Sequence, residues 1–172
     1  FGQSEYQPEI FAYGNRNPQG LTINSETGEI WMHEHGPRGG DELNKLIAAG
    51  NYGWPEISYG KEYYGDIQVG SGTHQEGMLQ PIYYWTPSIA PSGMTFYNGN
   101  DFPEWKGSLF IGALKEQSLI RLEIKDNQVV YEEKLLQNEF GRIRDVATRP
   151  NGSIFFITDE ANGKLFQIQA ID

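Results

Sequence analysis

The chain has 172 residues, 38% of them hydrophobic, with a formal net charge of -10 and no Cys. This length supports one domain with a core of its own. The acidic balance argues against nucleic acid as a partner, because phosphate binding needs a basic face. No apolar run is long enough to span a bilayer. Without Cys there is no disulfide framework from which to infer the compartment.

The composition predicts an all-β protein. The chain has 21 Gly and 13% aromatic residues, which favours strands joined by many turns, and it carries no strong helix signal. Three units share one pattern, in which two strands are joined by a turn or loop and a third strand follows a polar turn. The predicted strands are residues 20–24, 29–34 and 41–47 in the first unit, 93–97, 107–112 and 118–124 in the second, and 145–148, 153–159 and 164–168 in the third.

Tandem repetition of hairpins favours a β-propeller over the alternative, an ordinary β-sandwich. The units begin at residues 20, 93 and 145, whereas a propeller blade has about 40–50 residues. The longer first spacing predicts an insertion, which we place as a long loop at about residues 61–79. Propellers have about 4–8 blades, so three blades cannot close a ring. We therefore expect residues 1–172 to be part of a single propeller domain in a longer protein.

Four cationic side chains lie at equivalent ends of the predicted hairpins: Arg16, Lys115, Arg142 and Arg144. The first strand of an antiparallel hairpin starts where the second ends, so all four would face one mouth of a propeller. Cations gathered against an acidic background predict a pocket for a compact polyanion, which Arg binds through its planar fork. Each residue alone has a simpler interpretation, since Lys115 suits a surface turn and Arg144 could pair with Asp145 or Asp159.

The segment of residues 33–37 holds two possible metal-binding features. His33 and His35 are two residues apart on a predicted strand and so share a face, as ligands of a transition metal would, although two His without a third ligand make a weak site. Gly36 and Pro37 open a Gly-rich turn whose carbonyl oxygens suit a hard cation such as calcium. The alternative is a turn that only connects two strands.

Aromatic residues cluster at positions 51–55 and 83–85. Such clusters more often pack in a core than bind a ligand. Trp85 has the stronger case for lining the mouth, because it adjoins the loop of residues 86–88, and sugars commonly stack on such rings.

At these residues the chain closely resembles the soluble glucose/sorbosone dehydrogenases, which depend on pyrroloquinoline quinone (PQQ), and above all their aldose sugar dehydrogenase branch. The matching motifs follow the family's order and cover nearly the whole chain. They are Arg16-Asn17-Pro18-Gln19-Gly20, residues 34–42 (Glu-His-Gly-Pro-Arg-Gly-Gly-Asp-Glu), Asn51-Tyr52-Gly53-Trp54-Pro55, Ala90-Pro91-Ser92-Gly93, Leu114-Lys115 and residues 142–146 (Arg-Ile-Arg-Asp-Val).

The resemblance implies a six-bladed propeller of which this chain is the C-terminal half. The family's contacts to PQQ, a tricarboxylate, correspond here to Arg16, Asn17, Lys115, Arg142 and Arg144. Its calcium-binding carbonyls correspond to Gly36 and Pro37, and its substrate-facing Trp corresponds to Trp85. The implied activity is calcium-assisted oxidation of aldoses at the anomeric carbon, giving lactones, with hydride transfer to the quinone. The implied location is the periplasm or the medium, and the electron acceptor is not identified by the sequence.

Two departures qualify the resemblance. Asn15 stands where the family often has His, and residues 59–62 are too divergent to assign the family's second calcium. The family's general-base His belongs to the N-terminal half, so its role passes to none of His33, His35 and His74. We therefore expect the isolated chain to be inactive, and to aggregate or form a homodimer through open blade edges.

Two other functions suit a propeller with such a mouth. One is a non-enzymatic module that binds a protein partner, for which the set of cations has no evident use. The other is a calcium-dependent lactonase, which would need carboxylate or Asn ligands in the central channel.

Overall fold

The computed structural model describes residues 9–170, and within that range every regular element except one short 3₁₀ helix, Pro103–Trp105, is a strand. The strands are β1 (Ala12–Tyr13), β2 (Pro18–Ile23), β3 (Ile30–Glu34), β4 (Asp41–Leu46), β5 (Gly50–Asn51), β6 (Tyr83–Trp85), β7 (Pro91–Phe96), β8 (Leu109–Ala113), β9 (Ser118–Lys125), β10 (Gln128–Leu135), β11 (Ile143–Thr148), β12 (Ile154–Thr158) and β13 (Leu165–Ile168).

Three antiparallel sheets correspond to the three predicted units. Blade one has the strand order β2-β3-β4-β6, blade two β7-β8-β9-β10, and blade three β11-β12-β13. The tight turn between β2 and β3 depends on Gly28, which has φ of +73°, a conformation that costs little only for Gly. The predicted three-strand pattern is confirmed in each unit, and blades one and two each have a fourth, outer strand that was not predicted.

The sheets pack side by side through their innermost strands. Strand β7 lies between β2 and β11, and two hydrogen bonds join the start of β7 to the neighbouring blades. His35 Nε2 lies 2.6 Å from the Pro91 carbonyl, and Ser92 Oγ donates to the Ile143 carbonyl over 2.8 Å. Successive sheets that meet along their first strands are blades of a β-propeller, so the predicted fold is confirmed and the sandwich alternative is excluded.

Each contact between blades has its own apolar core. Between blades one and two, Trp31 packs edge-on against Phe96 with their ring centroids 5.8 Å apart, and both belong to one buried cluster. Between blades two and three, Tyr97 and Phe110 lie in a second cluster with Phe156. These two cores fix the positions of the strand ends that carry the site.

A long connection separates β5 from β6. Residues 61–79 contain only isolated bridge pairs, Arg38 with Lys61 and Lys61 with Gln68. The tip of this loop carries exposed Tyr64 and Ile67. Among residues 9–170, no helix is long and apolar enough to cross a membrane. That residues 1–172 belong to one domain stays a prediction, because residues 1–8 and 171–172 lie outside the described part.

Candidate functional site

The four cationic residues that the sequence analysis singled out lie at equivalent ends of strands in the three blades. Arg16 precedes β2, Lys115 follows β8, Arg142 precedes β11 and Arg144 is the second residue of β11. The hydrogen bonds from His35 to Pro91 and from Ser92 to Ile143 join the blades at this same end. The four cations therefore lie at equivalent strand ends, and their meeting at one mouth stays a prediction.

Arg16 binds backbone carbonyls of the neighbouring turn. Its Nη1 donates to the carbonyl oxygens of His35 (2.9 Å) and Gly36 (3.1 Å), and its guanidinium lies 5.3 Å from the ring centroid of Trp54. The backbone N–H groups of Arg16 and Asn17 both donate to Glu34 Oε2. A buried carboxylate therefore fixes the start of the segment, and the guanidinium already supplies positive charge to the Gly36 carbonyl.

Lys115 and Pro37 share an open cavity of about 590 Å³, whose wall also includes Tyr63, Thr86 and Ser88. Arg16 reaches this wall through its Nη2, which lies 3.4 Å from the Tyr63 hydroxyl. Pro37 and Lys115, which the sequence assigned to calcium and the cofactor, thus line one cavity, and Arg16 contacts its wall through Tyr63.

Arg142 and Arg144 form a separate cluster around one acid. Arg142 Nη2 and Arg144 Nη2 lie 2.9 Å and 2.8 Å from Asp159 Oδ2. Hydrogen bonds from Arg144 and then Arg142 hold the pKa of the Asp159 carboxyl below its usual range. Of the two partners considered for Arg144, the structure selects Asp159. Neither arginine lines the 590 Å³ cavity among the described residues.

The turn after β3 is folded so that carbonyl oxygens crowd around Gly36. A Cβ on Gly36 would collide with the carbonyl oxygens of Gly39 and Gly40, so this position requires Gly. Backbone carbonyl oxygens are ligands that a hard cation accepts. The Gly36 carbonyl already faces one cationic group, the Arg16 guanidinium at 3.1 Å, and calcium binding by Gly36 and Pro37 stays a prediction.

Two acidic side chains beside this turn were missed by sequence reasoning. Glu34 and Glu42 are directly paired across β3 and β4 and line a small cavity of about 10 Å³ with Gly36 and Tyr52. Burial, with the nearby charge of Glu34, raises the pKa of Glu42 to about 7, and burial also raises the pKa of Glu34. The sequence feature that could have indicated these two side chains is a Glu on each side of the Gly-rich turn, at positions 34 and 42.

His33 and His35 face the next blade. His33 is fully buried, and desolvation lowers its pKa to about 3 although the Ser92 carbonyl is close. His35 is engaged by the Pro91 carbonyl. Within residues 9–170, no three His, Cys, Asp or Glu side chains are grouped as a metal site would require. His35 therefore helps to join blades one and two, whereas the ring nitrogens of the buried His33 have no hydrogen-bond partner in the part of the chain that the structure describes.

Trp85 lies in the core between blades one and two. It is 5% exposed and packs with Tyr83 at a centroid distance of 5.2 Å. Its indole N–H donates to Glu132 Oε2 over 2.7 Å. This burial gives Trp85 a packing role, and contact with a substrate stays a prediction.

The family model for glucose/sorbosone dehydrogenases matches residues 1–167 of the chain. The chain belongs to the glucose/sorbosone dehydrogenase family. Aldose sugar dehydrogenase YliI of Escherichia coli is 42% identical over 167 residues, covering 96% of this chain and 45% of that protein. A crystal structure of a glucose dehydrogenase superposes with a TM-score of 0.93 at 49% identity, covering 99% of this chain and 49% of that one.

A more distant member of the same fold has been solved with its cofactor. The PQQ-bound aldose sugar dehydrogenase of Streptomyces coelicolor has a TM-score of 0.71 at 24% identity, covering 93% of this chain and 45% of that one. This similarity shows the propeller fold. This glucose/sorbosone dehydrogenase chain spans about half the length of the relatives it matches.

Proposed function

We propose that this chain forms the C-terminal half of a PQQ-dependent aldose dehydrogenase that converts sugars to lactones with the help of calcium. The carrying observation is the set of cations at one end of the inner strands, in a chain with a net charge of -10. Arg16 and Lys115 offer positive charge to a compact tricarboxylate, and Arg142 and Arg144, which are paired with Asp159 outside the cavity, would add to it. A face that binds a protein partner would not need this constellation.

The residues fit both proposed cofactors. Arg16, Asn17, Lys115, Arg142 and Arg144 would hold PQQ, whose carboxylates suit the planar fork of Arg and the point charge of Lys. Gly36 and Pro37 would bind calcium through their carbonyl oxygens. Glu34 and Glu42 lie beside the Gly36 turn, and burial raises the pKa of both carboxyls, so a nearby cation would favour their ionised forms.

The chemistry divides between cofactor and protein. In the reaction the sugar loses a hydride from C1 and a proton from its C1 hydroxyl, which leaves a C1 carbonyl, and bound PQQ supplies the two-electron acceptor. The residues of this chain bind and orient the acceptor by charge, and the buried Glu34 fixes the backbone that presents Arg16. We place the proton-accepting His outside this chain, in the N-terminal half.

The proposed activity also implies a cellular location, an electron acceptor and a behaviour of the isolated chain. The protein would work in the periplasm or outside the cell and pass its electrons to a separate acceptor. The isolated chain would lack activity, because the general base would be absent, and its open blade edges would favour a homodimer or aggregation.

The decisive experiment is a calorimetric titration of the full-length protein with PQQ, with and without calcium. We expect PQQ to bind more tightly when calcium is present. Sugar oxidation by the loaded enzyme would then be measured with an artificial acceptor. Absence of PQQ binding at any calcium concentration would contradict the proposal. Hydrolysis of a lactone in buffer with calcium and no PQQ would instead support a lactonase.

A further inference from the structure

The turn that carries Gly36 and Pro37 is closed by a buried carboxylate. Asp41, the first residue of β4, is fully buried, and its Oδ1 accepts a hydrogen bond of 3.0 Å from the Gly36 backbone N–H. At the other end of the turn, the N–H of Gly40 donates to the Trp85 carbonyl over 2.8 Å. The Gly36 backbone is thus fixed by a side chain that has no contact with solvent.

The second oxygen of Asp41 holds a different loop. Oδ2 accepts hydrogen bonds from Ser88 Oγ (2.6 Å), the Ile89 N–H (2.9 Å) and the Ala90 N–H (3.0 Å). Ala90 has φ of +52°, a left-handed conformation that is uncommon for residues other than Gly and persists when its surroundings impose it. Three donors on one oxygen impose the path of this loop.

The loop at residues 88–90 in turn supports Lys115. The Lys115 N–H donates to the Ile89 carbonyl over 3.0 Å, and the Leu114 N–H donates to the Ala90 carbonyl over 2.9 Å. Asp41 is therefore joined to Gly36 by one hydrogen bond. It is joined to the Lys115 backbone through Ile89, whose N–H donates to Asp41 and whose carbonyl accepts from Lys115. Ser88 and Lys115 both line the 590 Å³ cavity, as does Pro37.

We propose that Asp41 is a positioning residue that fixes the calcium-binding carbonyls relative to the cofactor-binding Lys115. A buried carboxylate carries a large desolvation cost unless hydrogen bonds satisfy its oxygens, and here four donors do so. Groups behind a metal site orient its ligands, and mutating such a group typically costs about 10- to 100-fold in metal affinity. This inference rests on the proposed function, because it assigns Asp41 to the same calcium and quinone site.

The test is the variant Asp41→Asn in the full-length protein. Three donors on the Oδ2 side keep the amide oxygen there, so the amide nitrogen faces the Gly36 N–H, donor against donor. We expect the calcium affinity, titrated with PQQ present, to fall about 10- to 100-fold. PQQ affinity without calcium should stay unchanged, because the loop that supports Lys115 keeps its acceptor. A purely structural role would not separate these two affinities.

The matched control is Glu133→Gln. It also replaces a hydrogen-bonded carboxylate by its amide, in the ion pair with Arg121 (2.7 Å) on the outer strands of blade two. We expect it to retain both affinities. If Asp41→Asn lowers the melting temperature while both of its titrations coincide with the wild type, the inference is overturned. If the wild-type protein binds neither calcium nor PQQ, the proposed function fails, and this inference with it.

A second variant covers the case in which Asp41→Asn does not fold. Ser88→Ala removes one of the three donors on Oδ2 and leaves the bond to Gly36 intact. We expect it to weaken PQQ binding without calcium, through the loop that supports Lys115. Wild-type affinity in that variant would overturn the inference.

Discussion

The first and third blades bury different kinds of side chain. Blade one buries His33, Glu34, Asp41 and Asn44 almost completely. Blade three buries the smaller, uncharged Ser153 and Thr158, and it stacks Phe156 on a second ring, Phe166, at a centroid distance of 5.1 Å. Buried polar groups cost stability unless they are satisfied, whereas aromatic packing provides it. The difference indicates that polar contacts organise much of the interior of blade one and that aromatic packing stabilises blade three, whereas the binding role proposed for Arg142 and Arg144 stays a prediction.

The largest expected effect comes from breaking the aromatic core of blade three. Phe156→Ala should lower the free energy of unfolding by about 3–5 kcal/mol, because it leaves a cavity among packed rings. Urea denaturation measures this loss. PQQ binding under native conditions should be retained. The control is Phe155→Ala on the same strand, which is only partly buried beneath the Arg149 guanidinium and should cost less. Equal losses in the two variants would contradict this view of the core.

At the start of β11 in the same blade, we expect a substitution to weaken PQQ binding and to leave stability nearly unchanged. Arg144→Ala should weaken PQQ binding about 10- to 100-fold, since a hydrogen bond to a charged group contributes about 1.5–3 kcal/mol. Calorimetry measures the affinity, and the melting temperature should change little because Arg144 is well exposed. Arg149→Ala, beyond the other end of β11, removes the same charge away from the mouth and should have no effect. An equal loss in both variants would indicate a general effect of charge.

The smallest effect concerns the buried imidazole of blade one. His33 has a pKa of about 3 when folded and an ordinary value of about 6.5. Below the ordinary pKa of 6.5 the unfolded chain binds a proton at His33 that the folded chain does not bind until the pH is near 3. The free energy of unfolding therefore decreases as the pH falls through this range, by about 1.4 kcal/mol per pH unit. Urea denaturation at a series of pH values from about 7 to about 5 should show this slope in the free energy of unfolding.

Two variants separate this contribution from other titrating groups. His33→Gln should flatten the dependence of the unfolding free energy on pH. His74→Gln changes an exposed imidazole in the long loop and should keep the wild-type slope. A slope that survives in His33→Gln would assign the effect to other residues.

The fold was predictable where burial imposes a pattern. Strands β3 and β8 read as strands because they are apolar runs bounded by turns, and the structure buries both. The outer strand β10 was missed because its apolar run is only three residues long, at 129–131, and is followed by charged residues. Strand β6, only three residues long, was read as an aromatic cluster.

The site was predictable only in part, for a related reason. Residue types and strand ends located Arg16, Lys115 and the Gly36 turn. The four hydrogen bonds of Asp41 join residues up to 49 positions apart, and such contacts depend on how two blades meet. Likewise, the burial of Trp85 depends on the neighbouring blade and on Glu132, which no local pattern indicates.

The two loops beside the cavity should differ in how far their lengths can change during evolution or engineering. The loop at residues 61–79 carries its exposed Tyr64 and Ile67 beyond anchoring contacts at Lys61 and Gln68, and lengthening a surface loop costs little. Its tip is therefore a place where insertions can alter the rim of the cavity. Residues 88–90 allow no such change in length. Adding or removing one residue there would move the Ser88, Ile89 and Ala90 donors away from Asp41 Oδ2, the single oxygen that accepts from all three.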